Sequence, residues 1–532
     1  MQMENFAPVM FAGLVFIMLI GFPVAFSLAA LGLGCGFLAI QLGWFPTAYL
    51  NNLPLAIFSI LSNELLLAIP FFTFMGTILE KCGLAEDMLD SMGQLFGPVR
   101  GGLGYSVIIV GFILGAITGT VAGQVIAMAL ISLPVMIRYG YNMRYATGVL
   151  AASGTITQLV PPSLVLVVMA DQLGKPVGDM YKGAWGPSLL QITFFALFTF
   201  ALAQIKPHYV PGVPKSARTL DGWALWKKCL KGIIPSAILI FTVLGSMGGL
   251  PFQNSAIATP TEAGAMGVVG AMILASMSSR LNWAVTWDAM KGTMRLTAMV
   301  VFILIGSRIF SQVFQGVDGN KWVEHLLTGL PGGQTGFLIV VNIFVFFLAF
   351  FLDFFEIAFI IVPMLAPVAE KLGIDLIWFG VLLCVNLQTS FMHPPFGFAL
   401  FYLRGISDTL FKEGRIPVAV KSSDIYMGSI PWIIMQLMLV AVVIFFPQTV
   451  TFFLDKEIKV DTDKVIIEAP PENNYGKPAD SGAAMQPAGS TPAASSDTAA
   501  MPEPSASEAA AASQAASDDE QKKMDDLFKD KK

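Results

Sequence analysis

Charged side chains are scarce in this sequence. Asp, Glu, Lys and Arg make up 13% of its 532 residues, whereas 55% of the residues are hydrophobic. Soluble domains carry roughly a quarter charged residues, so a water-soluble globular domain is excluded. Long apolar runs recur from Phe6 to about Leu454. We therefore predict an all-α polytopic membrane protein with roughly ten to twelve crossings and some shorter apolar pieces.

Cysteine and histidine are also rare, and they are scattered along the chain: Cys35, Cys82, Cys229, Cys384, His208, His325 and His393. None has the spacing of a metal site, so the cysteines are interpreted as small apolar residues in helices. The chain also lacks an HExxH motif, a nucleophile elbow, paired membrane aspartates and a P-loop. We predict that the protein is not an enzyme, has no resident cofactor and is not driven by ATP.

The first apolar run extends from about Phe6 to Ile40 and begins after only five residues. No small-residue cleavage site precedes the next apolar block, so the run is interpreted as retained membrane helix and not as a removed signal peptide. Gly21 and Pro23 interrupt it. One kinked crossing and two crossings are both compatible with the sequence.

Two polar segments divide the chain. Residues 206–231 are the most basic stretch, in which a single acid, Asp221, stands against Lys206, Lys215, Arg218, Lys227, Lys228 and Lys231. The positive-inside rule predicts a cytoplasmic loop here, between an N-terminal half, 1–205, and a C-terminal half, 232–455. Residues 456–532 are rich in Ala, Pro, Ser and acids. They are predicted to be a disordered tail on the cytoplasmic side.

The two halves share a sequence repeat at an offset of 233 positions. "PVMIRYGYNMRYATGVL" begins at Pro134, and "PVAEKLGIDLIWFGVLL" begins at Pro367. The same offset carries the pair Pro161 and Pro162 onto a second pair, Pro394 and Pro395. Chance coincidence of Gly and Pro, which are common in membrane helices, is the alternative interpretation. We predict two inverted repeats, with the Pro pairs facing each other across a pseudo-two-fold axis.

Each half contains an apolar run that is too long for one straight crossing. The run from about Leu103 to Val135 would measure about 50 Å as a helix, against a hydrocarbon core of about 30 Å. Folding at its central glycines predicts a re-entrant hairpin with two arms of about 20 Å. The run from about Phe337 to Leu365 is also too long for one crossing and predicts a second re-entrant hairpin, with Asp353 and Glu356 near its centre.

Each hairpin is followed by a helix that a Pro pair interrupts, because proline cannot continue a helix. Non-helical backbone at membrane depth lines cavities or is buried in protein, and paired breaks indicate a transport site at the midplane. Hydroxyl, amide, carboxylate and backbone oxygens suit Na⁺. The candidate sodium residues are Thr118, Gly119, Thr120, Ser153, Gly154, Thr155, Asp353, Asn386, Gln388 and Thr389. The candidate substrate-binding or gating residues are Pro161, Pro162, His393, Pro394, Pro395 and Arg308.

Several of these residues have more than one interpretation. A charge at membrane depth is functional by default, so Asp353 is expected to bind the ion or to organise the hairpin tip; structural capping is the alternative. Arg404 is expected to snorkel or to form a structural pair. Arg308 faces a cavity or packs structurally. His393 binds substrate, senses pH or ends a helix through a hydrogen bond.

Three further stretches predict local structure. "IATPTEAGAMGVVGA" places Thr259 or Thr261 as a cap before a helix of small residues, with Glu262 in its first turn. "LAEDMLDSMGQLFG" and "NWAVTWDAMKGTMRL" have the pattern of amphipathic surface helices.

The family resemblance rests on five motifs taken together: "GAITGTVAGQVIAMALISLPVMIRYGY", "LAASGTITQLVPPS", "ATPTEAGAMGVVGA", "LDFFEIAFIIVPMLAPVAEKLGID" and "HPPFGFALFYLRG". From about Met3 to Phe453 the chain resembles the large membrane (permease) subunit of TRAP transporters, the tripartite ATP-independent periplasmic type. The last two motifs resemble the branch named for mannitol or chloroaromatic compounds, and also 2-oxoacid carriers. The tail and His393, where Thr is more usual, depart from the family pattern.

The resemblance implies an elevator-type symporter of the bacterial inner membrane that imports organic acids with Na⁺ as the coupling ion. Its expected partners are a separate small four-helix membrane subunit and a periplasmic substrate-binding protein. By residue match, the hairpin tips and broken helices correspond to the family's sodium and substrate region. A stand-alone Na⁺–carboxylate symporter of similar fold is the alternative, which neighbouring genes would distinguish. An integral membrane enzyme using Asp353 or His393 is an alternative that activity assays would test.

Overall fold

The computed structural model describes residues 6–214, 222–253, 255–395 and 397–454, and within these ranges it is helical, without strands. The helices of the first part are α1 (Phe6–Ile20), α2 (Val24–Gln41), α3 (Leu53–Leu61), α4 (Glu64–Lys81), α5 (Leu84–Phe96), α6 (Gly102–Thr118), α7 (Val121–Arg138), α8 (Met143–Thr155), α9 (Leu164–Leu173) and α10 (Val177–Ile205). The predicted disordered tail, 456–532, lies outside the described residues.

The helices of the second part are α11 (Gly222–Ser246), α12 (Pro260–Met277), α13 (Trp283–Gly316), α14 (Gly319–Thr328), α15 (Gly333–Leu348), α16 (Phe354–Glu356), α17 (Val362–Lys371), α18 (Leu376–Ser390), α19 (Phe398–Lys412), α20 (Ser422–Phe445) and α21 (Gln448–Thr451). Three short 3₁₀ turns cover Thr47–Asn52, Ile156–Gln158 and Pro207–Tyr209. A π-helical segment, Ile357–Ile361, joins α16 to α17.

The described part of the chain has fewer long apolar helices than the ten to twelve crossings that the sequence predicts. By length and apolar composition, seven helices in the described part are able to cross a membrane, or up to nine if two bent pairs each count as one span. The count differs from ten to twelve because several apolar runs are divided into helices of 10–17 residues. Such short helices reach less than the roughly 30 Å of the hydrocarbon core.

The first apolar run forms two antiparallel helices. α1 ends at Ile20, and α2 begins at Val24, directly after Pro23. The ring of Phe6, at the start of α1, lies 4.9 Å from that of Trp44, just beyond the end of α2. The run therefore folds back at its Gly and Pro breakers, which settles the choice between one kinked helix and two helices.

The basic stretch is not wholly a loop. Gly222 begins α11, so Lys227, Lys228 and Lys231 lie on a helix of 25 residues. The Nζ atom of Lys228 lies 2.5 Å from the Oδ2 atom of Asp90 on α5. The loop predicted over 206–231 is therefore shorter than expected, and residues 215–221 lie outside the described part.

Two of the three local predictions are confirmed, and one is wrong. Thr259 caps α12 in a capping box with Glu262, whereas the Oγ1 atom of Thr261 donates to the carbonyl of Glu64. α5 has one buried apolar face and one charged face. "NWAVTWDAMKGTMRL" is not a separate surface helix, because it continues without a break into the 34 residues of α13.

Helix starts recur at the repeat offset. α7 and α16 begin 233 residues apart, and so do α8 and α18. Asn142 and Asp375, which the offset pairs, are the N-caps of α8 and α18, and each side chain accepts backbone N–H bonds. Gly140 and Gly373 both have a positive φ, 78° and 73°, which glycine adopts without strain. Residues that lie 233 positions apart in the sequence therefore have the same local structure at these helix starts.

α8 and α18 run in opposite directions along α20. At the start of α8, Arg144 Nε lies 3.1 Å from Asp424 Oδ1, near the start of α20. At the start of α18, Trp378 Nε1 donates to the carbonyl of Val443, near the end of α20, at 2.9 Å. These two contacts are about 28 Å apart along the helix axis.

The ends of α8 and α18 meet near the middle of α20. Gln436 Nε2 donates to Thr155 Oγ1 at 3.0 Å, and Thr155 Oγ1 lies 3.6 Å from Met392 Sδ. Both helices stop before a Pro pair, as predicted, and the bond within each pair is cis.

Candidate functional site at the hairpin tips

The first hairpin is built from α6 and α7. α6 ends at Gly119, whose φ of 63° is in the left-handed region that glycine tolerates. Gln124 Nε2 on α7 donates to the carbonyl of Gly111 on α6 at 2.6 Å, so the two arms lie side by side. The arms have 17 and 18 residues, or about 25 and 27 Å. They are longer than the expected 20 Å because the turn takes only Gly119 and Thr120, and because α7 extends three residues beyond the apolar run.

Glycines allow the broken helix of the first half to pack closely against this hairpin. A Cβ atom on Gly111 would lie 2.8 Å from the Cβ atom of Ser153, and one on Gly154 would lie 2.1 Å from Val125 Cγ2. A Cβ atom on Gly115 would lie 3.1 Å from Thr157 Cα. α8 therefore contacts the backbone of both hairpin arms, which explains why Gly recurs at these positions.

Three buried oxygen atoms lie at the break in this helix without a hydrogen-bond partner in the described chain. They are Ser153 Oγ, Thr157 Oγ1 and Gln158 Oε1, named here the oxygen cluster. The carbonyl of Ser153 accepts from Gln124 at 2.8 Å. Buried polar atoms are almost always satisfied in native proteins. Unsatisfied acceptors of this kind are suited to a small hard cation.

The second hairpin is built from α15 and from the segment α16–α17. At its tip, Asp353 caps α16: its Oδ1 atom accepts from the N–H of Glu356 at 2.9 Å. Glu356 Oε2 accepts in return from the N–H of Asp353, also at 2.9 Å. The two acids thus form a capping box. The π-helical segment that follows is an element that occurs frequently at functional sites.

Buried amides fill the break in the second half. Asn386 Nδ2 donates to the carbonyl of Asn342 on α15 at 2.8 Å. Gln191 Nε2 on α10 donates to Gln388 Oε1 at 2.6 Å. Asn342 Oδ1, Gln191 Oε1 and Gln388 Nε2 have no partner in the described residues. We name these four residues the amide cluster.

A cavity of about 240 Å³ lies where the two hairpin tips approach each other. Gly119 and Thr120 line it from the first tip, and Asp353 from the second. Gln158 and Phe391 contribute from the two broken helices. This tip cavity therefore combines pieces that are far apart in the sequence. Most of its remaining wall is apolar.

The predicted sodium residues are only partly brought together. Gly119, Thr120 and Asp353 line the tip cavity, while Ser153, Gly154 and Thr155 are buried behind it. Asp353 forms no hydrogen bond to Asn386, Gln388 or Thr389 in the described part. Asn386 Nδ2, Gln388 Oε1 and Thr389 Oγ1 bond elsewhere, and Gln388 Nε2 has no partner there. The hydroxyl of Thr389 donates to the carbonyl of Asn386 at 2.7 Å. The side chain of Thr118 lies outside the described residues.

The predicted substrate-binding or gating residues are more dispersed. Pro161 and Pro162 are buried, whereas Pro394 is half-buried and Pro395 is exposed. The imidazole of His393 lies against Phe350, with ring centroids 4.4 Å apart, and its Nδ1 atom is 3.0 Å from the carbonyl of Pro394.

Neither His393 nor Arg308 lines the tip cavity. Arg404 forms the structural pair expected of it, 3.0 Å from Asp408.

Several polar residues of the candidate site were not among the residues predicted from the sequence: Gln124, Thr157, Gln158, Gln191, Asn342 and Gln436. All are polar residues inside apolar helices or their breaks. Polar side chains at membrane depth are costly, so a search for isolated amides in apolar runs would have found most of them. Their partners lie on other helices, which no local pattern indicates.

Comparison with known proteins identifies relatives along most of the chain. The family model for the DctM component of tripartite ATP-independent periplasmic transporters matches residues 11–449. The C4-dicarboxylate TRAP transporter large permease protein DctM of Rhodobacter capsulatus is 28% identical over 460 residues, covering 83% of this chain and 97% of the relative. The 2,3-diketo-L-gulonate TRAP transporter large permease protein YiaN of Escherichia coli is 24% identical over 433 residues, covering 81% and 95%.

A solved structure shares the fold. The YdaH transporter of Alcanivorax borkumensis, whose topology is described as unusual, matches with a TM-score of 0.53 at 15% identity. The match covers 81% of this chain and 96% of that chain.

Proposed function

This chain belongs to the family of tripartite ATP-independent periplasmic transporters as a DctM-type large permease, and we propose that it imports a small organic acid together with Na⁺. It is a multi-pass membrane transporter and not an enzyme. The observation that carries the proposal is the tip cavity, where Thr120, Asp353 and Gln158 meet from both halves of the chain. Broken helices that converge on one cavity are a recurring design of secondary transporters.

Sodium binds, in this proposal, at the oxygen cluster and at the amide cluster. The first offers Ser153 Oγ, Thr157 Oγ1 and Gln158 Oε1, and the second offers Asn342 Oδ1 and Gln191 Oε1. These are hard, uncharged oxygens, which suit a monovalent cation that must also be released. Binding at the first cluster would immobilise Gln158, which also lines the tip cavity. Ion and substrate are thereby coupled through one side chain.

Transport is proposed to use an elevator movement of the hairpins and broken helices against a scaffold. α13 contacts α2 and α4, α4 contacts α12, and these four helices form the scaffold. α7, α8 and α19 contact one another, α20 contacts both α8 and α18, and these helices belong to the moving part. The opposite directions of α8 and α18 along α20 support an inverted repeat. Such a repeat gives similar access to the transport site from the two sides of the membrane.

Orientation and partners follow from the same proposal. The basic segment is placed in the cytoplasm by the positive-inside rule, and the tail is placed on the same side. A periplasmic binding protein would deliver the acid, and a small membrane subunit would join the scaffold. Both partners are expected of this family.

Uptake into proteoliposomes tests the proposal. The full chain would be reconstituted with its small subunit into proteoliposomes that contain sodium-free buffer. A panel of labelled organic acids and the cognate binding protein would then be added outside. We expect accumulation with an inward Na⁺ gradient and none with a matched K⁺ gradient. Uptake that persists in potassium would reject sodium coupling. Uptake without the binding protein and the small subunit would favour a stand-alone symporter.

A further inference from the structure

A second polar cavity, of about 350 Å³, lies between the scaffold and the second hairpin. Arg308, Ser311 and Gln315 line it from α13. Their spacing of three and four residues places them on one face of that helix. None of the three side chains has a hydrogen bond or ion pair within the described residues. We name this space the arginine cavity.

The opposite wall carries a carboxylate whose oxygens are both engaged. Asn63 Nδ2 donates to Asp171 Oδ1 at 3.0 Å, and Gln172 Nε2 donates to Asp171 Oδ2 at 2.9 Å. All three residues line the arginine cavity. Asp171 is thus held on its own side, and no ion pair joins it to Arg308 in the described part of the chain. The cavity presents one uncommitted cation and one fixed anion.

The arginine cavity lies at the opposite end of the scaffold from the basic segment. Asn63 caps the start of α4, which ends about 27 Å away at Lys81. The next helix, α5, contacts the basic segment through the ion pair of Asp90 with Lys228. Lys81 Nζ is 3.7 Å from Asp288 Oδ2 near the start of α13, and Arg308 follows Asp288 by about 30 Å along the same helix. The tip cavity contacts α13 between these two points, at Leu296 and Met299.

We propose that the arginine cavity is a receiving site for the transported acid, distinct from the tip cavity, and that it selects hydroxy- or oxo-monocarboxylic acids over dicarboxylic acids. This inference rests on the proposed function. Arg308, which is exposed and therefore accessible to an arriving acid, binds the carboxylate through its guanidinium fork. Ser311 and Gln315 hydrogen-bond a neighbouring hydroxyl or oxo group. A second carboxylate would share the cavity with Asp171, and like charges at close range are mutually destabilising.

The position of the cavity gives the site its role. With the basic segment in the cytoplasm, the arginine cavity faces the periplasm and the tip cavity lies deeper. An acid released by a binding protein therefore meets Arg308 first. Because Arg308 belongs to the scaffold and Asp171 to the first broken helix, the bound acid contacts both parts that move relative to each other.

Binding is tested directly, without transport. The full chain with its small subunit would be placed in phosphatidylcholine nanodiscs and titrated calorimetrically with the sodium salts of lactate, glycerate, pyruvate and succinate at one total Na⁺ concentration. We expect at least one of the three monocarboxylates to bind more tightly than succinate. Arg308→Gln should weaken that binding by at least about tenfold, and Arg308→Lys should weaken it less. Asp171→Asn should reduce the difference between the affinity for the monocarboxylate and the affinity for succinate.

A matched control separates the site from general charge effects. Arg138→Gln removes the same charge from an exposed residue at the end of α7 and should leave binding unchanged. Equal binding by wild type and Arg308→Gln, a preference for succinate, or no binding of any of these acids would overturn the proposal. So would monocarboxylate binding that is lost when phosphatidylglycerol is added, since Arg308 would then be a lipid-headgroup site. Uptake is measured in a separate experiment. If acid binding depends on Arg308 but uptake does not depend on sodium, the proposed sodium coupling is rejected and the proposed receiving site is retained.

Discussion

Asp353 and Glu356 each accept a hydrogen bond from the backbone N–H of the other, both at 2.9 Å. This reciprocal contact starts α16 at the tip of the second hairpin, beside the tip cavity. The carboxylate of Asp353 is therefore occupied in ordering the tip backbone. Among the interpretations of Asp353, an organising role agrees best with this geometry.

The capping box predicts different results for two substitutions of Asp353. Asn is as good an N-cap as Asp, whereas Ala leaves a buried backbone donor unsatisfied, which costs about 1–3 kcal/mol, or about 5- to 150-fold in affinity. We expect Asp353→Ala to raise the sodium concentration for half-maximal uptake by at least about tenfold, and Asp353→Asn to change it little. Sodium-dependent uptake in proteoliposomes measures both. Glu356→Gln, which preserves a capping box, is the control. Equal losses in the Asn and Ala variants would instead assign the charge itself to sodium.

The oxygen cluster predicts a loss of sodium affinity without loss of folding. Thr157→Val removes one unsatisfied buried hydroxyl while conserving volume, so the fold loses no hydrogen bond. Loss of one ligand oxygen, at about 1 kcal/mol, should raise the half-maximal sodium concentration about fivefold. Thr193→Val is the control, because its exposed hydroxyl bonds only to the carbonyl of Leu189. An unchanged sodium dependence in Thr157→Val would remove this hydroxyl from the ion site.

Close packing at Gly154 predicts a destabilised variant and its rescue. A Cβ atom there would lie 2.1 Å from Val125 Cγ2, and overpacking of this kind costs about 1–3 kcal/mol. Gly154→Ala should lower the thermal unfolding temperature in detergent, and Val125→Ala should restore much of it. Gly405→Ala, on α19 with open space around the new methyl group, should have no such effect. A Gly154→Ala protein as stable as wild type would show that α7 and α8 are less closely packed.

The inverted repeat predicts labelling from opposite sides of the membrane. Arg138 and Lys371 are the last residues of α7 and α17, lie at the repeat offset and are exposed. Single cysteines at these positions, with Cys35 replaced by Ser, should react with an impermeant maleimide from opposite faces. Right-side-out and inside-out vesicles provide the two conditions. Labelling of both cysteines from one face would reject inversion and favour a parallel repeat.

Much of the local structure was determined by the sequence itself. The Pro pairs stop α8 and α18 because proline cannot continue a helix, and Gly119 turns the first hairpin because it tolerates a positive φ. Asn142 and Asp375 cap their helices through contacts within three residues. The all-α membrane class and the offset of the repeat follow from apolar runs and breakers. These features depend on neighbours in the chain, so a local pattern is sufficient to predict them.

Only the tertiary structure decided which polar groups meet. Gln191 and Gln388 are 197 residues apart and hydrogen-bonded, and the contact between Asn342 and Asn386 spans 44 residues. The sequence placed Asp353 with Asn386 and Gln388, but Asn386 Nδ2 and Gln388 Oε1 bond to groups on α15 and α10, and neither amide bonds to Asp353 in the described part. Arg308 was predicted within one site and lies in a separate cavity. A buried polar group is satisfied by whichever helix packs beside it, and that choice depends on how the helices pack, which a local pattern does not encode.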